Sequence, residues 1–154
     1  MKKYELTEET VTVFGKTLYR IRAVRDFGSV KTGEFGGYIE KEENLSHFGN
    51  AWISGDAWVW GNAKVCGDAK VFSASHVLVI GAIGSRDDFT TFFRDKDNEI
   101  TVKCGCFLGK IDKFLEKVTQ THGDSKYALV YRAAVEVARL QIDLSGEAPK
   151  DADE

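Results

Sequence analysis

Gly49-Asn50-Ala51-Trp52-Ile53-Ser54, Gly55-Asp56-Ala57-Trp58-Val59-Trp60, Gly61-Asn62-Ala63-Lys64-Val65-Cys66 and Gly67-Asp68-Ala69-Lys70-Val71-Phe72 are consecutive copies of one six-residue phrase. Its form is Gly-(Asn/Asp)-Ala-x-(Val/Ile)-x, and a degraded copy, Ser73-Ala74-Ser75-His76-Val77-Leu78, follows. A fixed period of this kind marks short strands stacked through tight corners. Strand alternation turns Ala51/Ile53, Ala57/Val59, Ala63/Val65, Ala69/Val71 and Ser75/Val77 inward. Glycine accepts the backbone angles of a corner, and Asn or Asp can bond neighbouring backbone groups there. The expected architecture is a short parallel β-helix with three sides and about eighteen residues per coil.

On that geometry residues eighteen apart stack. Trp58 and Trp60 point outward beneath His76 and Leu78, Trp52 and Ser54 lie beneath Lys70 and Phe72, and Lys64 and Cys66 occupy the third face. So apolar an outer surface needs a cover, and an array of two or three coils needs caps or partners. Trp52, Trp58, Trp60, Phe72, His76 and Leu78 are therefore the expected interface of a homo-oligomer. The competing cover is a lid from the N- or C-terminal segment of the same chain.

The flanks read differently. Residues 1–46 form an N-terminal β-hairpin and cap, with β-rich runs at Thr10–Phe14 and Thr17–Val24 around Gly15-Lys16. In the second run Tyr19, Ile21 and Ala23 share one face, and Leu18, Arg20 and Arg22 the other. Residues 47–82 are the repeat. Residues 83–142 form an α+β module: a hairpin of Phe89–Phe93 and Ile100–Cys104, then two helices. The first helix carries Ile111, Phe114, Leu115 and Val118 on one face and stops at Gly123. The second is capped by Asp124 or Ser125 and buries Tyr127, Val130, Tyr131, Ala134, Val137 and Ala138. Residues 143–154 read as a disordered acidic tail.

The chain has 154 residues and a formal charge of −3. The tail contributes −4, so the remainder is about +1, which argues against a nucleic-acid binder. No apolar run is long enough to span a bilayer. No signal peptide follows Met1-Lys2-Lys3, so Cys66, Cys104 and Cys106 are expected reduced, in a cytoplasm.

Gly36-Gly37-Tyr38-Ile39-Glu40-Lys41-Glu42-Glu43-Asn44-Leu45-Ser46, running into Gly49-Asn50-Ala51-Trp52-Ile53, resembles a hexapeptide-repeat family of bacteria, prophages and phages. So does the opening, Lys3-Tyr4-Glu5-Leu6 with Leu18-Tyr19-Arg20-Ile21-Arg22-Ala23. Members are often labelled acyltransferase or polymer-forming protein. The likeness covers about residues 1–80. Residues 83–93 and Cys104-Gly105-Cys106-Phe107 are similar to a small module of phage and mobile-element proteins. The resemblance implies a left-handed coil, a trimer as the favoured oligomer, and a phage or prophage setting in a bacterial host cell.

Candidate chemistry is sparse. Hexapeptide acyltransferases use a histidine base with coenzyme A, so His76, with His47 beside it, is the candidate catalytic residue. Cys104, Cys106, His122 and Asp124 lack the spacing and number of a zinc site. Val77–Ser85 lacks the third glycine and following helix of a dinucleotide loop. Ser85, Arg86, Thr90 and Thr91 could bind an anion, with Phe92, Phe93 or Tyr127 to stack on a base. The competing reading pairs Arg86 with Asp87, Asp88 or a helix end. Arg20 and Arg22 are a second anion candidate. The reading reached is a non-enzymatic oligomeric binding protein without metal or cofactor. It would be a phage accessory or counter-defence factor that binds a host protein or sequesters a small anion such as a signalling nucleotide. The alternatives are a coenzyme A-dependent acyltransferase and a structural oligomerisation module.

Overall fold

The computed structural model describes residues 1–145. Its strands are β1 (Tyr4–Val13), β2 (Lys16–Ala23), β3 (Phe35–Ile39), β4 (Trp52–Ile53), β5 (Trp58–Val59), β6 (Lys70–Val71), β7 (Val77–Ile83), β8 (Asp88–Arg94), β9 (Ile100–Cys104) and β10 (Phe107–Lys110). Two helices follow, α1 (Ile111–His122) and α2 (Lys126–Gln141). Of the acidic tail, residues 146–154 lie outside the described residues. Residues 143–145 are tied down: Asp143 N donates to Ser75 O, and Asn98 Nδ2 to Leu144 O.

The expected parallel β-helix, left-handed or otherwise, is not what forms. The sheets are β1-β2-β3-β5, β10-β9-β8-β7 and β4-β6. The first is mixed, antiparallel except where β3 meets β5, and the second is antiparallel throughout. Parallel pairing in the repeat is confined to two-residue strands, Trp52↔Lys70 with Ile53↔Val71 and Tyr38↔Trp58 with Ile39↔Val59, and to the bridge Leu45↔Val65. The physical reason lies at the corners. Gly49, Gly55, Gly61 and Gly67 all have positive φ, between 60° and 71°, so the chain turns before a ladder can lengthen. One repeat strand is captured instead by the N-terminal hairpin sheet. Gly36 and Gly37 permit that capture, because a Cβ there would stand 2.5 Å from Ile53 O and 2.7 Å from Ala57 O respectively.

The inward set is buried as alternation requires. Ala51, Ile53, Ala57, Val59, Ala63, Val65, Ala69 and Val71 all lie in one core with Tyr4, Ile21, Phe27, Ile39 and Leu45. Ser75 and Val77 are only half-buried.

The C-terminal sheet is the middle layer of the molecule. On β8, Phe93 joins the repeat core and Phe92 a second core with Phe114, Tyr131 and Val135 of the helices. On β7, Val77 and Val79 pack toward the repeat, and Leu78, Ile80 and Ile83 toward the helices. Helix α1 packs on β9 and β10, and α2 on β7. Gly123 ends α1 with φ 58° as expected, while N-cap Ser125 of α2 makes no side-chain capping bond. The buried stripe of α2 is Ala128, Tyr131, Ala134, Val135 and Ala138. The expected stripe is thus rotated: Tyr127 and Val137 are exposed and Val130 half-buried. Among the described residues no helix is long and apolar enough to cross a membrane.

Phe92→Ala and Phe93→Ala should each destabilise the fold by about 3–5 kcal/mol. Because the cores share β8, both should lower one common unfolding transition. All three tryptophans lie in the repeat. Their fluorescence melt should therefore shift in Phe92→Ala, although Phe92 packs in the other core. An unshifted tryptophan transition would show that the layers unfold separately.

Candidate binding surface

Side chains of the N-terminal sheet that point away from the core form an organised polar array around Arg20. Register sets Arg20 of β2 beside Tyr38 of β3, and Tyr38 beside Trp58 of β5. The Arg20 guanidinium stacks over the Tyr38 ring at 4.4 Å. Its Nε donates to Glu9 Oε2 at 2.6 Å. One terminal nitrogen donates to Gly36 O at 2.7 Å and Gly55 O at 3.4 Å. The other donates to Tyr38 Oη at 2.7 Å and Asp56 Oδ1 at 3.1 Å. Tyr38 Oη in turn donates to Glu9 Oε2 at 2.8 Å.

The electrostatics follow. The Arg20 hydrogen bond, aided by that of Tyr38, holds the Glu9 carboxyl below its usual range. Partial burial works against the Arg20 charge, but Glu9, Asp56 and Tyr38 outweigh it and hold that group above its usual value. The Glu9 hydrogen bond, with some desolvation, pushes the Tyr38 phenol up. All five guanidinium donors are committed, so Arg20 has none to offer an anion. Arg22 is paired with Glu5. What the array offers outward is carboxylate oxygens, with the Asp56 side chain 88 % exposed, and an indole, Trp58, at 38 %. Phe35, opposite Arg22, is also exposed.

The expected interface residues do not share one surface. Trp52 is buried edge-on against Phe27, with centroids 5.3 Å apart. Trp60 is half-buried and stacks on Phe14 at 5.7 Å. Phe72 packs on His76 and beneath the buried Arg94 guanidinium. Leu78 faces the helix core. The N-terminal segment thus supplies part of the lid, and Trp58 is the tryptophan left outside.

His76 is buried, and its Nδ1 accepts from Phe72 N at 3.2 Å. Burial first, then the charge of Arg94, lowers its pKa. The ring stays neutral with its basic nitrogen occupied, a poor geometry for general-base work. His47 is tied too: Nδ1 accepts from Lys3 N, and Nε2 lies 3.0 Å from Glu42 Oε1.

The second candidate set is divided by strand alternation. Thr90 is buried and donates to Cys104 Sγ at 3.4 Å, and Phe92 is core. Thr91 lies on the opposite face, where its Oγ1 accepts from Lys64 N. Ser85 and Arg86 are exposed at the β7–β8 tip, close to Asp87 and Asp88, and Tyr127 is exposed beside His122. Among the described residues no group of three or more His, Cys, Asp or Glu is placed to hold a metal ion. A groove of about 560 Å³, lined by Asp112, Leu115, Glu116, Thr119 and Gln120, belongs to the outer side of α1 alone.

Sequence reasoning found Arg20 but not its partners. Tyr38 could have been placed by alternation from Ile39. Glu9 and Asp56 are surface carboxylates in sequence and gain meaning only from the pairing of β1, β2, β3 and β5.

Arg20→Lys should cost about 2 kcal/mol, because one ammonium cannot replace a five-donor fork. It should also return the Glu9 pKa toward the ordinary carboxylate value, as read by NMR titration of its side-chain carbon. A depressed folded pKa gives stability that is present above the unfolded value and lost as pH falls through the folded one. Arg20→Lys should therefore flatten the acid limb of the stability curve. A separate test concerns Lys3, which is buried with Nζ on Ala51 O at 2.7 Å. Desolvation, then Arg25, pulls its pKa from 10.5 to about 8. Between those values the unfolded chain binds more protons, so stability rises with pH. Urea melts above and below pH 8 should show wild type gaining on Lys3→Met as pH rises, and a constant difference would refute the assignment. No protein-family model matches the chain, and no curated protein matches it.

Proposed function

We propose that this chain is a non-enzymatic binding protein that recognises a protein partner through the Trp58 face. The observation that carries this reading is an exposed indole in register with a pre-organised Glu9–Arg20–Tyr38–Asp56 array. Small-molecule sites are concave and enclose their ligands. This face is the outside of a sheet, suited to a macromolecule. Tryptophan is the side chain most enriched among residues that dominate protein interfaces. Carboxylates held in place without an available cation favour a partner presenting donors or positive charge, not an anion.

The resemblance of residues 1–80 to phage and prophage hexapeptide proteins supplies the biological setting: an accessory or counter-defence factor acting on a host protein. The acyltransferase alternative has little support, because neither His76 nor His47 offers an available basic nitrogen. Sequestration of a small anion through Arg20 is opposed by the committed guanidinium. Through Arg86 it is opposed by the adjacent Asp87 and Asp88.

Immobilised intact protein should retain a defined partner from a host extract. Trp58→Ala, with an unchanged melting curve, should bind that partner more weakly by about thirtyfold or more. Equal retention by Trp58→Ala would refute the role of this face. A nucleotide co-purifying with the protein would restore the sequestration reading.

A further inference from the structure

The Trp58 face already holds one guanidinium. Arg20 lies over the Tyr38 ring at 4.4 Å and is gripped by Glu9 Oε2 at 2.6 Å and Asp56 Oδ1 at 3.1 Å. The parts of that grip are an aromatic ring, whose negative face attracts a cation, and carboxylates that meet the planar fork at its edge.

The same parts recur one strand away, without a cation. Trp58 of β5 is the register partner of Tyr38. Both side chains leave the outer side of the sheet, because Ile39 and Val59 beside them enter the core. β5 is the last strand of that sheet, so Trp58 has a strand neighbour on one side only. Asp56, two residues earlier, stands on the same side, since it reaches Arg20. Among the described residues neither Asp56 Oδ2 nor Glu9 Oε1 has a donor, and both side chains are exposed. The cations of this face are committed: Lys16 to Glu40, Arg22 to Glu5, and Arg20 to Glu9 and Asp56. Two carboxylates therefore share one guanidinium, and their surplus negative charge is unmatched. Stacked cations lie over Phe27, Tyr38 and Phe72, and among the described residues none lies over Trp58.

We infer that the partner group seated on Trp58 is an arginine side chain, its guanidinium over the indole and its edge on Asp56. This names the chemistry of the partner proposed for the Trp58 face, and it rests on that reading. The incoming arginine repeats from outside what Arg20 does from within. A planar fork serves ring and carboxylate at once, whereas an ammonium is a point charge on a flexible stem. An acidic group would meet Asp56 as a like charge, and a neutral one would leave the surplus unmatched. The surface is open, so each contact is modest. A stacked cation and an exposed ion pair each correspond to about two- to fivefold in affinity.

The probes are short peptides of one sequence whose central residue is arginine, lysine or citrulline, the uncharged isostere of arginine. Each is titrated into the full chain while the Trp58 indole N–H is followed by NMR. Trp58→Phe identifies that signal among the three indoles. The arginine peptide should shift it saturably, and the citrulline peptide should bind about fivefold more weakly or worse. Asp56→Asn, isosteric and at an exposed position, should reduce the preference for arginine by about two- to fivefold. Equal binding of the arginine and citrulline peptides would overturn the inference, as would no shift up to millimolar peptide or a preference that survives Asp56→Asn. A lysine peptide that binds as well as arginine would overturn the choice of a guanidinium. The extract assay separates this inference from the reading beneath it. A partner lost with Trp58→Ala but held undiminished by Asp56→Asn would leave the face standing and remove the arginine. A partner indifferent to Trp58→Ala would remove the face itself.

Discussion

Phe92 and Phe93 are neighbours in sequence and belong to different cores. A strand cannot do otherwise with adjacent side chains, and this makes β8 the constraint on which the rest of the molecule depends. The repeat layer has a thin interior of alanines and valines, too shallow to close itself. The helices have only one face to bury. Each finds its missing cover on one side of the same sheet, and the continuous burial of Thr90–Asp95 records that double duty. Polar seams fix the docking: Lys64 N on Thr91 Oγ1, Arg94 on Lys70 O, and Lys96 N on Asp68 O.

Two buried cations mark where layers join. Lys3 lies against the carbonyls of Gly49 and Ala51 and over Phe27, and Arg94 against Lys70 O, Asn98 and the Phe72 ring. Neither makes a direct ion pair to a carboxylate among the described residues. Repeat carbonyls that the short ladders leave unpaired need donors, and a long cationic side chain delivers them where water is excluded. The cost appears as lowered pKa values, from desolvation first in both. These cations serve backbone groups the abbreviated ladders leave unpaired, so the glycine corners that stop the repeat from extending also dictate what is packed around it.

Much of this was legible in residues with strong local rules. The Ala/Val ladder, the positive-φ glycines, the hairpin around Asp95–Asn98 and the stop at Gly123 all follow from alternation or turn chemistry. The architecture was not, because a hexapeptide period says how often the chain turns and not whether ladders propagate. Capture of Trp58-Val59 by β3 depends on Gly36 and Gly37 approaching the carbonyls of Ile53 and Ala57, seventeen and twenty residues further along the chain and beyond any local signal. The stripe of α2 was misplaced for a related reason. With Tyr127, Leu129, Val130, Tyr131, Val135, Val137 and Leu140, the helix is apolar on more than one face, and spacing cannot choose among them. The candidate site shows the same limit: Arg20 was visible, but its saturation by Glu9, Tyr38 and Asp56 is a property of four paired segments.

The apolar residues that patterning could not assign are those left outside. Trp58 remains exposed because β3 takes up its backbone without covering its ring. Leu129, Val137 and Leu140 remain exposed because α2 spends its small residues, Ala128, Ala134 and Ala138, on close approach to the sheet. On this view the repeat is neither a rod nor a catalytic cleft, but the rigid element that presents Trp58 on the outer face of the N-terminal sheet.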